Sequence, residues 1–490
     1  MAKISSIARV VGKYFDKQNR NITYIPFSAV QQECIAWFRG LTDWHSYRIW
    51  NGLRRIGKQR ASLNMAKIAC QDLAGLTINE KLKINVGDEE NKREQELIDA
   101  TLMNNNFMVM GNQLYELTCA IGTGAFVESL QNDEVVIDYI QGDMIFPLKW
   151  DNGKIIDCAF AKRGGDTESA FCTLIIHELK GEKDKKHYEV RTIEISEEGD
   201  IVPPTRFKKG ITESNVGSVL ITNADVPLFQ IIKPNIVNNY DKTCPLGLSI
   251  FYNSIDTLKS IDLIYDSLRN EYQSGKRRIF VKSGLKTVIQ KSKTDVSKTV
   301  VNNIDSNDTE FYSLETEDGE KVPITEFSPT LRVAEHEQGL NVQLNLLSRG
   351  VTLGDGYYNF NNGAVGRTAT EVISVNSALF RNLKRHELIV EKALKDMCRA
   401  ILFLYDYLGG GVNYNTEVTI DFDDSIIEDT DKIRQSAMQE YNAGLIDKAE
   451  YFAITRKQTR EQGLAFVREM EATETMKDVN AGFGGFGFGA

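Results

Sequence analysis

The chain is short of most features that mark enzymes and membrane proteins. Seven cysteines are spread irregularly through 490 residues with no C-x-x-C pair, which fits a reducing compartment and not a disulfide framework. No apolar run approaches the roughly 18 residues that span a bilayer. Near the N-terminus, Ile4, Ile7, Val10 and Val11 are interrupted by Lys3, Arg9 and Lys13. That run is too short and too charged for a secretory signal, and it reads as a short amphipathic helix or a loose arm. The phosphate loop G-x-x-x-x-G-K-[ST] is missing, as are H-E-x-x-H, G-x-S-x-G and the dinucleotide fingerprint. Five histidines are too few for a histidine-rich metal site. His177 and His187 lie in strand-like segments without a ligand partner, and His386 sits on a helix beside Glu387 and Glu391, where packing or ion pairing is favoured. Positive charge is also in deficit. With 58 Lys+Arg against 68 Asp+Glu the net charge is -10, so contact with DNA or RNA has to be local or weak.

What remains is a soluble globular composition, 42% hydrophobic and 26% charged, long enough for about three domains of roughly 150 residues. The first third reads as helical. It holds an aromatic-rich stretch through Ile35, Trp37, Phe38, Trp44, Tyr47 and Trp50, then helices over 62–76, 92–103 and 112–120. From residue 124 to 233 short runs (135–140, 154–160, 171–179, 187–195) alternate with turns such as Asp151-Asn152-Gly153, the signature of an antiparallel meander. A long helix follows, with Phe251, Ile255, Leu258, Ile261, Tyr265, Leu268 and Tyr272 forming a narrow seam that Gly275 stops. Short strands return over 278–281, 287–289, 311–314 and 322–327, interrupted by a polar stretch, 291–308, that reads as an exposed loop. A second helix covers 332–348 with Leu340, Leu344 and Leu347 on one face. An Asn/Gly-rich loop (354–363) leads to the T-x-x-E spacing of Thr368 and Glu371, a capping box. The helix it opens runs to Leu408, roughly 60 Å long, and ends at Gly409-Gly410-Gly411. A strand over 417–422, helices over 432–441 and 448–455, a last helix to about residue 476 and a Gly/Phe tail complete the chain. The fold class is α+β.

Three features invite chemistry. The acids Asp421, Asp423, Asp424, Glu428, Asp429 and Asp431 follow a strand and resemble a Mg²⁺ site for phosphodiester hydrolysis. Partner carboxylates from distant segments are not identifiable, and a solvated strand-to-helix connection is the favoured reading. Gly354-Asp355-Gly356 resembles part of a glycine motif, but no strand precedes it. Basic clusters occur at Arg54-Arg55 through Arg60, at Lys276-Arg277-Arg278, and at Lys286, Lys291, Lys293 and Lys298. They are placed to touch phosphates, though such clusters are mostly solvated faces. No catalytic, cofactor-binding or metal-binding residues are assigned.

The order of parts carries a resemblance. Gly247-Leu248-Ser249-Ile250-Phe251, continuing through Ser260-Ile261-Asp262, Tyr265-Asp266-Ser267 and Glu271-Tyr272 to Arg278-Ile279-Phe280-Val281, resembles the portal proteins of tailed bacteriophages. So do Arg367-Thr368-Ala369-Thr370-Glu371-Val372 and the helix–turn–helix from 431 to 450, with its Gly444-Leu445-Ile446 turn. The resemblance spans about 30–475 and is strongest from 245. It implies a portal fold with a wing (1–246), stem helices (247–275 and 332–350), a clip between them (276–331), a tunnel loop (351–366), a long wing helix and strand (367–420), a crown (421–476) and a disordered tail (477–490). It implies a non-enzymatic homo-oligomeric ring, usually a dodecamer, at one capsid vertex of the virion, assembled in the host cytoplasm without a membrane or cofactor. Double-stranded DNA would pass through the ring during packaging and ejection. The terminase large subunit would dock on the clip through Lys286, Lys291, Lys293 and Lys298, a head-completion or adaptor protein would replace it, and major capsid and scaffolding proteins would surround the ring. Tyr357, Tyr358, Asn359, Phe360, Asn361 and Asn362 would meet DNA in the channel, the aromatics packing between neighbouring loops. The alternative is a metal-dependent nuclease using the 421–431 acids.

Overall fold

The computed structural model describes all residues except 1–4, 21–26, 51, 88–90, 132, 164–170, 182–185, 203–218, 223–225, 283–286, 292–297, 303–310, 315–323, 360–368, 423–429, 457–459, 461–462, 465 and 469–490. Helix α1 (Ser6–Lys17) buries Ile7, Val10, Val11, Tyr14 and Phe15. Spacings of three and four put these on one stripe, so the segment is a docked amphipathic helix and not a loose arm. α2 (Phe27–Phe38) follows. The aromatic stretch then departs from the helical expectation. Residues Ser46–Trp50 (β1) and Arg55–Gln59 (β2) form a two-stranded antiparallel hairpin.

Helix α3 (Met65–Thr77), β3 (Lys83–Val86), α4 (Lys92–Asn104) and α5 (Phe107–Ile121) complete the helical third. The expected meander is present. Strands β4 (Gly124–Gln131) and β5 (Glu134–Gln141) pair with each other, and β6 (Ile145–Asp151), β7 (Lys154–Arg163), β8 (Cys172–Lys180) and β9 (His187–Ile195) run antiparallel in sequence order. β10 (Ile201–Val202) and β11 (Val219–Ile221) both edge β9, and β12 (Phe229–Ile232) returns to β4. One continuous core, from Ile7 to Val418, joins helices and sheets into a single body.

Two antiparallel helices leave this body. α6 (Ile255–Ser274) and α7 (Val333–Gly350) pack with Gly350 beside Ser254, Gly339 beside Ile264 and Gly275 beside Leu331. Between them lies a small β insertion. β13 (Arg278–Lys282) pairs in parallel with β16 (Phe311–Leu314) and antiparallel with β17 (Ile324–Phe327), while β14 (Thr287–Lys291) and β15 (Lys298–Asn302) make a hairpin. Part of the polar 291–308 stretch is therefore strand and not loop. The β-branched run Thr299-Val300-Val301 accounts for it.

Helix α8 (Ala369–Tyr407) returns across the body against α3, α4, β4, β5 and β12. Gly409 ends it at φ +85°, and Gly410 N–H closes back on the Tyr405 carbonyl at 3.0 Å, a left-handed glycine stop. β18 (Val418–Asp421) pairs with β3, and α9 (Thr430–Asn442) packs on α10 (Lys448–Arg456). The Thr368 capping position and the Gly/Phe tail lie outside the described residues.

Candidate functional site

The described groups most able to do something specific gather around the α6–α7 pair. Its attachment to the body is built from backbone and carboxylates. Gly122 (φ +96°) and Gly247 face each other so closely that a Cβ on Gly247 would meet the Gly122 carbonyl oxygen at 2.2 Å; only glycine fits. Thr123 Oγ1 accepts Gly247 N–H at 2.9 Å and Cys119 O accepts Ile250 N–H at 3.0 Å.

Two turns into α6, Asp262 is buried. Its carboxylate accepts Leu63 N–H (2.8 Å), the Ser62 hydroxyl (3.0 Å) and His45 Nε2–H (2.9 Å). Thr42 N–H points at His45 Nδ1 (3.3 Å), which makes Nδ1 the acceptor and places the ring proton on Nε2. The imidazole is fully buried, edge-on to Trp37 and Trp44. One turn further, Asp266 accepts Ala61 N–H (3.0 Å) and Asn270 Nδ2 (3.1 Å). Two aspartates at i and i+4 thus clamp α6 to residues 61–63. In the sequence these two acids stand only among the residues of the resemblance, because their partners lie about 200 positions away.

Away from the clamp the helical pair is only partly covered. Leu258 and Ile261 are buried, but Tyr272 is 52% exposed, Leu263 48%, and on α7 Val342 is 58% and Leu346 50%. Leu340, Leu344 and Leu347 face inward, so Val342 and Leu346 form a second apolar row with no cover in one chain. At the far end Arg332 grips Glu271 with Nη2 (2.9 Å), Nε (3.2 Å) and its backbone N–H (3.4 Å), closing the neck of the β insertion. Of the lysines expected to dock partners, Lys291 and Lys298 are register partners in the backbone pairing of the β14–β15 hairpin. Lys286 and Lys293 lie outside the described residues.

The segment after α7 is pinned to its own chain. Thr352 has φ +68°, a strained value for a β-branched residue. Its Oγ1 meets His386 Nε2 at 3.1 Å, while Asn235 N–H occupies His386 Nδ1 at 3.1 Å, so the ring proton again sits on Nε2. Burial pulls His386 down to about 4, and the ring is neutral. Tyr358 donates its hydroxyl to Asp72 at 2.7 Å, its N–H goes to Ser348 Oγ, and the Tyr357 ring stands edge-on to it. Tyr358 thus ties the α7–α8 connection to Asp72 of α3 and Ser348 of α7 within its own chain, with the Tyr357 ring against it. Asn359 is half-buried; Phe360, Asn361 and Asn362 lie outside the described residues.

Of the acids, Asp421 accepts Asn85 Nδ2 at 2.9 Å and pairs in register with Lys83, a strand-edge role. Asp423, Asp424, Glu428 and Asp429 lie outside the described residues, and Asp431 is placed by its backbone alone. Among the described residues no group of three or more His, Cys, Asp or Glu could hold a metal. No described helix is long and apolar enough to cross a membrane. All seven cysteines are buried and free.

A family model described as "Phage portal protein, SPP1 Gp6-like" matches residues 51–477. No curated protein matches the sequence. Among solved structures, a chain of the neck of an empty gene transfer agent particle, computed with C6 symmetry, is 13% identical with a TM-score of 0.43, covering 86% of this chain and 97% of its own. A chain of the virion of a native gene transfer agent particle is 11% identical with a TM-score of 0.41, covering 80% and 89%.

Proposed function

The chain belongs to the SPP1 Gp6-like phage portal family, and on that premise we propose that it forms a ring, a dodecamer, at one capsid vertex of a virion. The ring is the conduit for double-stranded DNA and a docking platform. The observation that carries the reading is the helical pair. α6 and α7 project a β insertion away from the body while leaving Leu263, Tyr272, Val342 and Leu346 uncovered. A helix with apolar rows on two faces needs two partners, and a neighbouring copy supplies the second. Residues 247–275 and 332–350 are then the stem, and the insertion at 276–331 is the clip. On the clip the terminase large subunit and later an adaptor protein dock through Lys286, Lys291, Lys293 and Lys298. Residues 351–366 are the tunnel loop, rooted at Thr352 and bringing Tyr357, Tyr358, Asn359, Phe360, Asn361 and Asn362 to the channel. Neutral amides and a net charge of -10 let DNA slide, because contact without Lys or Arg releases few counterions. The 421–476 region is the crown, and major capsid and scaffolding proteins contact the outside of the ring.

The test is the mass of the purified full-length chain by native mass spectrometry, followed by packaging with a variant lacking residues 291–308. The expected result is a ring of about a dozen copies that still forms without 291–308 but no longer packages DNA. A monomer that cleaves DNA with Mg²⁺, and loses that activity when Asp421, Asp423 and Asp424 become Asn, would establish the nuclease reading instead.

A further inference from the structure

We infer that the β1–β2 hairpin is an arm that docks on a second copy of this chain; the inference rests on the ring reading above and names one of its contact surfaces. Opposed residues in an antiparallel pair share a face. The register Arg48↔Gly57, Ile49↔Ile56 and Trp50↔Arg55 therefore puts Arg48, Trp50, Arg55 and Gly57 on one side, and Ile49 and Ile56 on the other. Neither side is covered: all of β1 and β2 is exposed except Tyr47 and Ile56, which are half-buried. Trp50 is 65% exposed and Leu53 87%. A two-stranded hairpin with both faces in water is marginal by itself, and large apolar side chains at its tip argue for a protein surface over it.

The base, in contrast, is rigid. Arg60 N–H closes on the His45 carbonyl at 2.8 Å, and the Arg60 guanidinium lies between the Trp44 and Tyr47 rings at 4.4 and 4.3 Å. His45 itself is buried against Asp262 of α6. The arm is thus held at a set angle to the helical pair, as a contact repeated around a ring requires.

Charge selects the occupant. Residues 46–60 contain Arg48, Arg54, Arg55, Lys58 and Arg60 and no acid, while the chain carries -10 overall. The rest of every copy is more acidic still and complements the arm. Among the described residues Arg48, Arg55 and Lys58 have no ion pair within their own chain. Gly57 leaves a notch: a Cβ there would touch nothing within 4 Å, and a shallow concavity lined by Ser46, Arg48, Gly57 and Gln59 opens beside it. DNA would satisfy the cations but not Ile49, Trp50 and Leu53, so a second copy is favoured.

The experiment uses the full-length chain with a photo-cross-linking benzoylphenylalanine placed at Trp50, and mass photometry as an independent count of rings. Irradiated rings should give a ladder of covalent multimers, with cross-links mapping between copies. Arg48→Glu with Arg55→Glu, and separately Gly57→Trp, should raise the concentration for half-assembly by about tenfold or more, with the circular dichroism of the folded chain unchanged. Gly57→Trp is the sharper variant, because the single chain has room for the ring and only a docked partner loses. Rings that form at wild-type concentration in both variants and give no ladder overturn the inference while leaving the ring intact. So do cross-links found only to added DNA or to capsid protein. Failure of the unmodified chain to form rings at any concentration overturns the ring reading itself.

Discussion

Replacing Asp262 tests how the helical pair is held. Its carboxylate is the shared acceptor for His45 Nε2–H, Leu63 N–H and the Ser62 hydroxyl. Asp262→Ala strips all three at once. The Ser62 hydroxyl can turn elsewhere, but the imidazole proton and the Leu63 amide stay facing an empty site. Leaving a buried donor unpaired costs about 1–3 kcal/mol, so the two together predict a loss of about 2–6 kcal/mol. Asp262→Asn keeps the volume and one acceptor oxygen but turns an NH₂ toward one of the two donors, and should lose about 1–3 kcal/mol. Asp256→Asn, nearly two turns earlier with its side chain 95% exposed, is the control and should leave the transition where it is. Urea titration of the full-length chain reads the shift, and hydrogen–deuterium exchange across residues 42–64 reads its location. That segment should exchange faster in Asp262→Ala while the β7–β9 sheet does not. A midpoint within 1 kcal/mol of wild type, with unchanged exchange over 42–64, would refute the clamp.

His177 is buried between the Phe160 and Phe229 rings with neither ring nitrogen hydrogen-bonded, so His177→Phe should stabilise the chain by about 1–2 kcal/mol; a lower urea midpoint would count against that packing. His386, pulled down by burial to about 4, adds nothing above pH 6.5, where folded and unfolded states are both neutral. Below it the unfolded chain takes up a proton that the folded chain refuses, so stability should fall by about 1.4 kcal/mol per pH unit down to about pH 4. His386→Asn should lose that component, and the buried Glu128, raised to about 8 and acting in the opposite sense, cancels in the difference; parallel pH profiles would refute the assignment. Gly247→Ala should abolish soluble folded protein, because its Cβ collides with the Gly122 backbone; a normal melting curve would show that the two segments part freely.

How much of this is legible in the sequence depends on the range of the interaction. The β6–β9 meander is a local pattern of alternation and turns, and the sequence reading places its strands within a few residues of where they fold. The length of α8 is equally local, since thirty-nine residues of helical spacing close on a triple glycine. The β1–β2 hairpin was missed for a different reason. Tyr47 and Trp50 belong to an aromatic-rich stretch in a first third that reads as helical, and that reading takes no account of the Asn51-Gly52 dipeptide between two β-branched or aromatic runs, a strong hairpin signal. Strand β15 was missed because its lysines and asparagines gave the segment the composition of a loop. In a small insertion, pairing to β14 outweighs composition.

The clamp and the uncovered faces lie beyond local reading. Asp262 meets partners 199 to 217 positions away, and nothing at residue 262 announces which loop will cover it. The outer row on α7 is subtler. Leu340, Val342, Leu344, Leu346 and Leu347 look alike in sequence, and only burial separates the three that α6 covers from the two left in water. On the ring reading proposed above, the work of a subunit falls to surfaces one copy cannot cover. For such a protein, the residues that carry function are apolar or oppositely charged side chains that the fold has declined to bury. On that criterion Val342, Leu346, Trp50 and Arg48 rank above every acid in the 421–431 run.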